Sequence, residues 1–221
     1  MAGMAADSHR VQHRSGLARC GNLLPNVQFR FGGLVMHASM FKKQPVVLID
    51  GRAGAGKTSL AAFLAHEIQT RYSVAVQVIH MDDLTQGWDG LASASAQVAQ
   101  IIEQRTWQRY DWISGALAEQ HQIVPDFPLI IEGCGAISNA SADLADFRIW
   151  VECDDDLRRE RAIARDGALF EPHWEVWADQ ELQIMKTQRP MAHADLVWRS
   201  ERDKLAECSN SLFLSLDQVA I

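Results

Sequence analysis

No stretch of this chain approaches the roughly 18 uninterrupted apolar residues that a bilayer-spanning helix needs. No short apolar core followed by a small-residue cleavage site lies near its start, so a secretory signal is not expected. Cysteine is sparse as well. Cys20, Cys134, Cys153 and Cys208 are scattered, without a C-x-x-C pair or metal-ligand spacing. That argues against a disulfide framework or a zinc site and fits reduced thiols in the cytosol. Positive charge is scarce where nucleic acid would need it. Beyond Gln44 the chain carries 15 basic against 27 acidic residues, whereas duplexes are held by clustered Lys and Arg. A membrane and a duplex nucleic acid are therefore both disfavoured as partners.

The remaining composition is that of a globular protein. With 221 residues, 48% of them hydrophobic, the chain can form one domain with a sizeable core. Residues 1–39 stand apart: basic, without a clean apolar period, and carrying Ser, Gly, Asn and His between scattered arginines. They read as a disordered basic tail, a transit-type peptide or an extension upstream of the natural start, and their poor amphipathic pattern favours tail or extension over targeting. Met40-Phe-Lys-Lys-Gln-Pro, just before the first strand, resembles a natural beginning. The domain is accordingly expected over 40–221.

From Pro45 onward apolar runs alternate with helical patterns. Strands are expected at Val46–Asp50, Val74–His80, Leu129–Ile131, Phe147–Val151 and Leu196–Trp198. Helices are expected at Lys57–Tyr72, Ser93–Gln104, Ile113–Gln120, Asp156–Arg165 and Trp174–Thr187. Near-continuous apolar strands separated by helices predict a doubly wound parallel α/β sheet, with ligands beyond the carboxyl ends of its strands.

The first strand runs into Gly-Arg-Ala-Gly-Ala-Gly-Lys-Thr at 51–58, a complete G-x-x-x-x-G-K-[ST] phosphate loop, and an amphipathic helix leaves it. Gly51, Ala53, Gly54, Ala55, Gly56, Lys57, Thr58 and Ser59 form the expected binding set for a nucleoside triphosphate. The glycines let backbone N–H groups curl around phosphate oxygens, and the helix dipole adds positive potential there. Lys57 is expected to bridge the terminal phosphates and Thr58 to sit on Mg²⁺. Further carboxylates leave the same edge of the sheet: Asp82 and Asp83 after the second strand, Glu132 after the third. Acids in such places often only form turns or cap helices. Beside a phosphate loop they suggest a base for an acceptor hydroxyl and a holder of Mg²⁺. Arg158, Arg161 and Arg165 are spaced i, i+3, i+7, which places three guanidinium groups on one helical face, able to cover a transferring phosphoryl group or simply to pair with nearby acids. Trp88, Trp112, Trp174 and Trp177 could stack on a base or sugar, although core packing is the commoner use.

These stations, in this order, resemble the uridine kinase-like branch of the P-loop kinases, which includes uridine/cytidine kinases, phosphoribulokinase and bacterial pantothenate kinase. The likeness runs from about Pro45 to Ser200. It implies that Asp82 is the catalytic base, that Asp83 and Tyr110-Asp111-Trp112 lie at the acceptor, and that Glu132 acts with Thr58 on Mg²⁺. It also implies that the segment from Asp154 to Asp166, with Arg158, Arg161 and Arg165, leads into a lid. Two positions depart from the pattern. Gly115 stands where uridine kinases carry a pyrimidine-reading His, and Leu84-Thr85 replace an aromatic pair.

An ATP-dependent small-molecule kinase is thus the leading expectation, with a nucleoside or nucleoside monophosphate as the first acceptor to consider and a sugar, polyol or vitamin precursor next. A nucleotide-dependent switch acting through a protein partner is the alternative, though no Asn-Lys-x-Asp segment is present to read guanine. A third reading, nucleic-acid binding through the basic N-terminal arm, depends on that arm. Monomer and oligomer are equally compatible with the resemblance.

Overall fold

The computed structural model describes residues 44–200 in full and two short strands before them by backbone alone. Those strands, β1 (Gln28–Phe31) and β2 (Leu34–His37), pair antiparallel. They fall within the segment read as tail or extension, the rest of which lies outside the described residues.

The domain is built on β3 (Val46–Gly51), β4 (Gln77–His80), β7 (Leu129–Glu132), β8 (Phe147–Cys153) and β9 (Leu196–Ser200). They form one parallel sheet in the order β4-β7-β3-β8-β9. The central strands are apolar throughout because both faces are covered. Val46, Leu48, Leu129 and Ile131 face α2 (Leu91–Gln104), meeting Ala94, Val98, Ile101 and Ile102. Their neighbours Val47, Ile49, Ile130 and Ile149 face α1 (Lys57–Tyr72), meeting Leu60, Ala61 and Leu64. The period of two along each strand thus fills two cores at once. This is the doubly wound α/β sheet expected from the pattern.

One element differs from expectation. Residues 113–120 are not helical: β5 (Thr106–Asp111) and β6 (Ala116–Gln122) form an antiparallel hairpin. The Asp111 carboxylate accepts from Ile113 N and Ser114 Oγ, and Gly115, at φ 67°, returns its N–H to Asp111 O. That turn chemistry, the Arg109–Glu119 ion pair and the Trp107–His121 stack outweigh the helix preference of Ala116-Leu-Ala-Glu-Gln.

The short α3 (Asn139–Ala142) precedes β8, and α4 (Asp155–Asp166), α5 (Trp174–Gln188) and α6 (Pro190–His193) follow it. Asp154 caps α4 by accepting from Asp156 N and Leu157 N. Between α4 and α5 lie two 3₁₀ turns, Gly167–Leu169 and Glu171–His173, with Phe170 between them. Phe170, Trp174, Trp177 and Ile184 pack with Leu91, Ala53 and Cys134, so the lid segment and the phosphate loop share a small core. Among the described residues no helix is long and apolar enough to cross a membrane.

Candidate active site

The phosphate loop turns between the end of β3 and the start of α1, and its curl depends on missing side chains. Gly54 has φ 77°, and a Cβ there would lie 1.9 Å from Arg158 O. Gly51 has φ 151°, with Val151 O at 2.4 Å from the same hypothetical atom. Asp50, buried at 2% exposure, ties the loop down by accepting from Gly51 N (2.6 Å), Gly135 N (2.9 Å) and Ile137 N (2.9 Å). Burial pushes its carboxyl up to about 6, against the lowering pull of those three N–H groups and of Lys57. The helix that follows has no acid in its first turn, which leaves its positive end open to an anion.

Lys57 is buried and folded back, with Nζ donating to Arg52 O at 2.9 Å and 3.4 Å from Cys134 Sγ. Burial opposes its charge, but the carboxylates of Glu181, Glu132 and Asp50 outweigh that and raise its pKa. Burial also holds the Cys134 thiol far above its ordinary range, so it is a neutral S–H. Thr58 Oγ1 donates to Glu132 Oε1 at 2.9 Å, and His80 Nδ1 lies 2.6 Å from the same oxygen. The hydrogen bond to Glu132 raises the His80 pKa. Glu132 Oε2 is buried without a hydrogen-bond partner. A hydroxyl beside a carboxylate with a spare oxygen is the donor chemistry Mg²⁺ takes when phosphates and water supply its other ligands, so Thr58 and Glu132 fit that ion.

These groups open onto one cavity of about 520 Å³. Ala53, Gly54, Lys57 and Thr58 line it together with Asp82 and Glu132. Asp82 is open to the cavity but closely walled, and that desolvation, with Glu132 nearby, raises its carboxyl; Lys57 and Arg165 pull the other way. Trp112 Nε1 donates to Asp82 O at 2.8 Å and so fixes the turn bearing the carboxylate. Arg165 and its ion-pair partner Asp166 close one side, with Trp88, Trp112, Trp177, Leu169 and Phe170 supplying apolar surface. Trp88 stacks on His173 (4.2 Å between centroids, 12°) and on Phe170 (5.6 Å, 17°).

Ten of the residues singled out from sequence therefore meet: Ala53, Gly54, Lys57, Thr58, Asp82, Trp88, Trp112, Glu132, Arg165 and Trp177. Others sit elsewhere. Arg158 is buried, with Nε donating to Asp155 at 2.6 Å, Nη1 3.6 Å from Glu181 Oε2, and its guanidinium 4.9 Å over Trp174. Arg161 donates to Ser200 Oγ at 2.8 Å. The three arginines thus leave their common helix by different routes, and Arg165 alone of them lines the cavity. Asp111 is engaged in its turn, Tyr110 packs edge-on to Trp112, and Asp83 is half-buried outside the lining.

The sequence reading missed Cys134, Asp166 and Glu181. Glu181 is 3% exposed and accepts from Ala53 N (2.5 Å), Arg52 Nε (3.2 Å) and the Cys134 thiol (3.3 Å). A signal for it existed: an acid spaced i+7 and i+4 from Trp174 and Trp177 and i−3 from Ile184 lies on the buried face of its helix.

A phosphate loop, a strand-end acid that meets its Thr, and a second acid lining the same cavity are the parts of a P-loop phosphotransferase site. No family model matches the chain. It is 26% identical over 174 residues, 69% of this chain and 80% of that protein, to a uridine kinase of Latilactobacillus sakei subsp. sakei (strain 23K). Solved structures of similar outline include one described as "a possible uridine kinase from Bacillus stearothermophilus" (19% identity, 70% of this chain and 88% of that, TM-score 0.49). Another is a shikimate kinase from Acinetobacter baumannii in complex with shikimate (15% identity, 83% and 99%, TM-score 0.47). In sequence the chain is similar to the Latilactobacillus sakei uridine kinase over most of its length, a likeness that stands beside the phosphate loop and the acids that line its cavity.

Proposed function

We propose that the protein transfers the γ-phosphoryl group of Mg·ATP to a hydroxyl of a small molecule. The observation that carries this is that Asp82 lines the same cavity as Lys57 and Thr58. The phosphate loop binds the triphosphate through its N–H groups, and Lys57 exchanges Arg52 O for phosphate oxygens. Thr58 and Glu132 hold Mg²⁺, which when bound neutralises phosphate charge. Asp82 accepts the proton of the acceptor hydroxyl as its oxygen bonds to the γ-phosphorus and the bond to the bridging oxygen of ADP breaks. The raised carboxyl of Asp82 makes it a stronger base than an ordinary aspartate. Arg165 approaches the transferred group from the lid.

A hydroxyl is favoured over a phosphate acceptor by charge. The cavity lining holds two cations, Lys57 and Arg165, and both are needed for the donor phosphates. Among the described residues no third is placed there to receive a phosphate on the acceptor. The tryptophan-rich wall favours a ring-bearing acceptor, a nucleoside first and a sugar next. Pyrimidine recognition by the His of uridine kinases is not available at Gly115. ADP release from Mg·ATP, measured against nucleosides, nucleoside monophosphates, sugars and pantothenate-like alcohols, tests the proposal. Acceptor-dependent turnover with an unphosphorylated alcohol supports it; ATP binding with no acceptor response across the panel favours the nucleotide-switch reading.

A further inference from the structure

Glu181 is a buried acid outside the cavity lining. It lies behind the phosphate loop rather than in front of it: Ala53 lines the cavity, and Glu181 lines a small void on the other side together with Asp50 and Trp150. Its Oε1 takes the Ala53 N–H at 2.5 Å and its Oε2 takes Arg52 Nε at 3.2 Å, so one carboxylate grips two successive residues of the loop. The charge is balanced locally. Arg52 and Arg158 flank Glu181, and both also reach Asp155 Oδ1, at 2.7 and 2.6 Å. One turn earlier on the same helix, Trp177 lines the cavity, and Trp174 supports Arg158.

We infer that Glu181 is a positioning residue of the phosphate loop, which presets the Ala53 peptide before nucleotide arrives and fixes the loop to the helix that forms the aromatic wall. This rests on the phosphate-loop reading. A backbone N–H drawn backward onto a carboxylate defines the orientation of the next peptide, at Gly54, whose left-handed backbone begins the phosphate cradle. The cradle then needs no reorganisation when the triphosphate binds. An ion network that merely joined α4 to α5 would have no need of the loop amide. Here that amide makes the shortest of the contacts to Glu181.

Two measurements test this on the full chain. In the nucleotide-free wild type, amide hydrogen exchange at Ala53 is expected to be slowed by about 100-fold or more relative to an open loop amide. In calorimetric titration with Mg·ATP, Glu181→Ala is expected to raise Kd by about tenfold. Glu181→Gln retains an oxygen acceptor for Ala53 N–H and is expected to stay within about threefold of wild type. Rescue by glutamine separates hydrogen-bonded positioning from charge. The inference is overturned if Ala53 exchanges as an open amide, if folded Glu181→Ala binds Mg·ATP like wild type, or if Glu181→Gln is as impaired as Glu181→Ala. The exchange measurement decides alone if the alanine variant does not fold. Lys57→Ala serves as the control, since unchanged Mg·ATP affinity in that variant would remove the phosphate-loop reading itself.

Discussion

Asp50 offers a quantitative test of how the loop is held. Its carboxyl rises from 3.8 to about 6 on folding, about two pH units, or about 3 kcal/mol at 1.36 kcal/mol per unit. The sign follows from proton counting. Below pH 3.8 both folded and unfolded chains carry the proton. Between 3.8 and about 6 the unfolded chain ionises first, so the folded state binds more protons and stability falls as pH rises. By neutral pH the folded protein has lost the whole of that amount. Asp50→Asn cannot ionise and lacks this term. Urea unfolding followed by tryptophan fluorescence, run on both proteins from about pH 4 to 7, isolates the term, because other titrating groups cancel in the difference. The asparagine variant is expected to gain about 2 kcal/mol on wild type across that window, the rest having accrued below pH 4. Its absolute stability starts lower, because an amide NH₂ cannot accept one of the three N–H groups that Asp50 holds. A difference that is flat with pH to within about 0.5 kcal/mol, or that moves in favour of wild type, would refute the account of Asp50 as a buried, desolvated anion.

Other variants probe the transfer step. Asp82→Asn is expected to leave the Kd for Mg·ATP nearly unchanged and to cut kcat by about 10²- to 10⁴-fold; an active variant in the ADP-release assay would remove Asp82 from the base role. Lys57→Ala should both weaken Mg·ATP binding and abolish turnover, and calorimetry beside the same assay reads the two effects separately. Trp112→Phe keeps a ring but loses the bond to Asp82 O. It should lower kcat by about fivefold, the worth of one hydrogen bond that fixes the base, without altering nucleotide affinity. Gly54→Ala forces a Cβ to within 1.9 Å of Arg158 O. Either the loop or α4 must move, so both the melting temperature and Mg·ATP affinity should fall, and a variant with both intact would contradict the close approach.

What could be read from the chain, and what could not, divides along the range of the interactions. The sheet was legible because buried parallel strands write themselves as apolar runs: Val46–Ile49 and Leu129–Ile131 need no partner to be recognised. The phosphate loop was legible because backbone curvature demands glycine at fixed spacing. The Asp82 and Glu132 positions were legible as acids at strand ends on one edge. Residues 113–120 were misread because a run of good helix formers is overruled by pairing with a strand that precedes it, and by a turn that Asp111 and Gly115 build together. The arginines show the same limit at a finer scale. Helical spacing puts Arg158, Arg161 and Arg165 on one face, yet their long side chains are claimed by Glu181 with Asp155, by Ser200 and by Asp166. Those partners lie on α5, on β9 and within α4 itself, and only the fold decides which arginine is left to face the cavity. Glu181 marks the point where the two kinds of signal meet. An acid on the buried face of an amphipathic helix is visible in sequence as a violation of pattern, and such a violation asks for a buried donor. The donor's identity, a backbone N–H of the phosphate loop 128 residues earlier, is a property of the assembled sheet and helices alone.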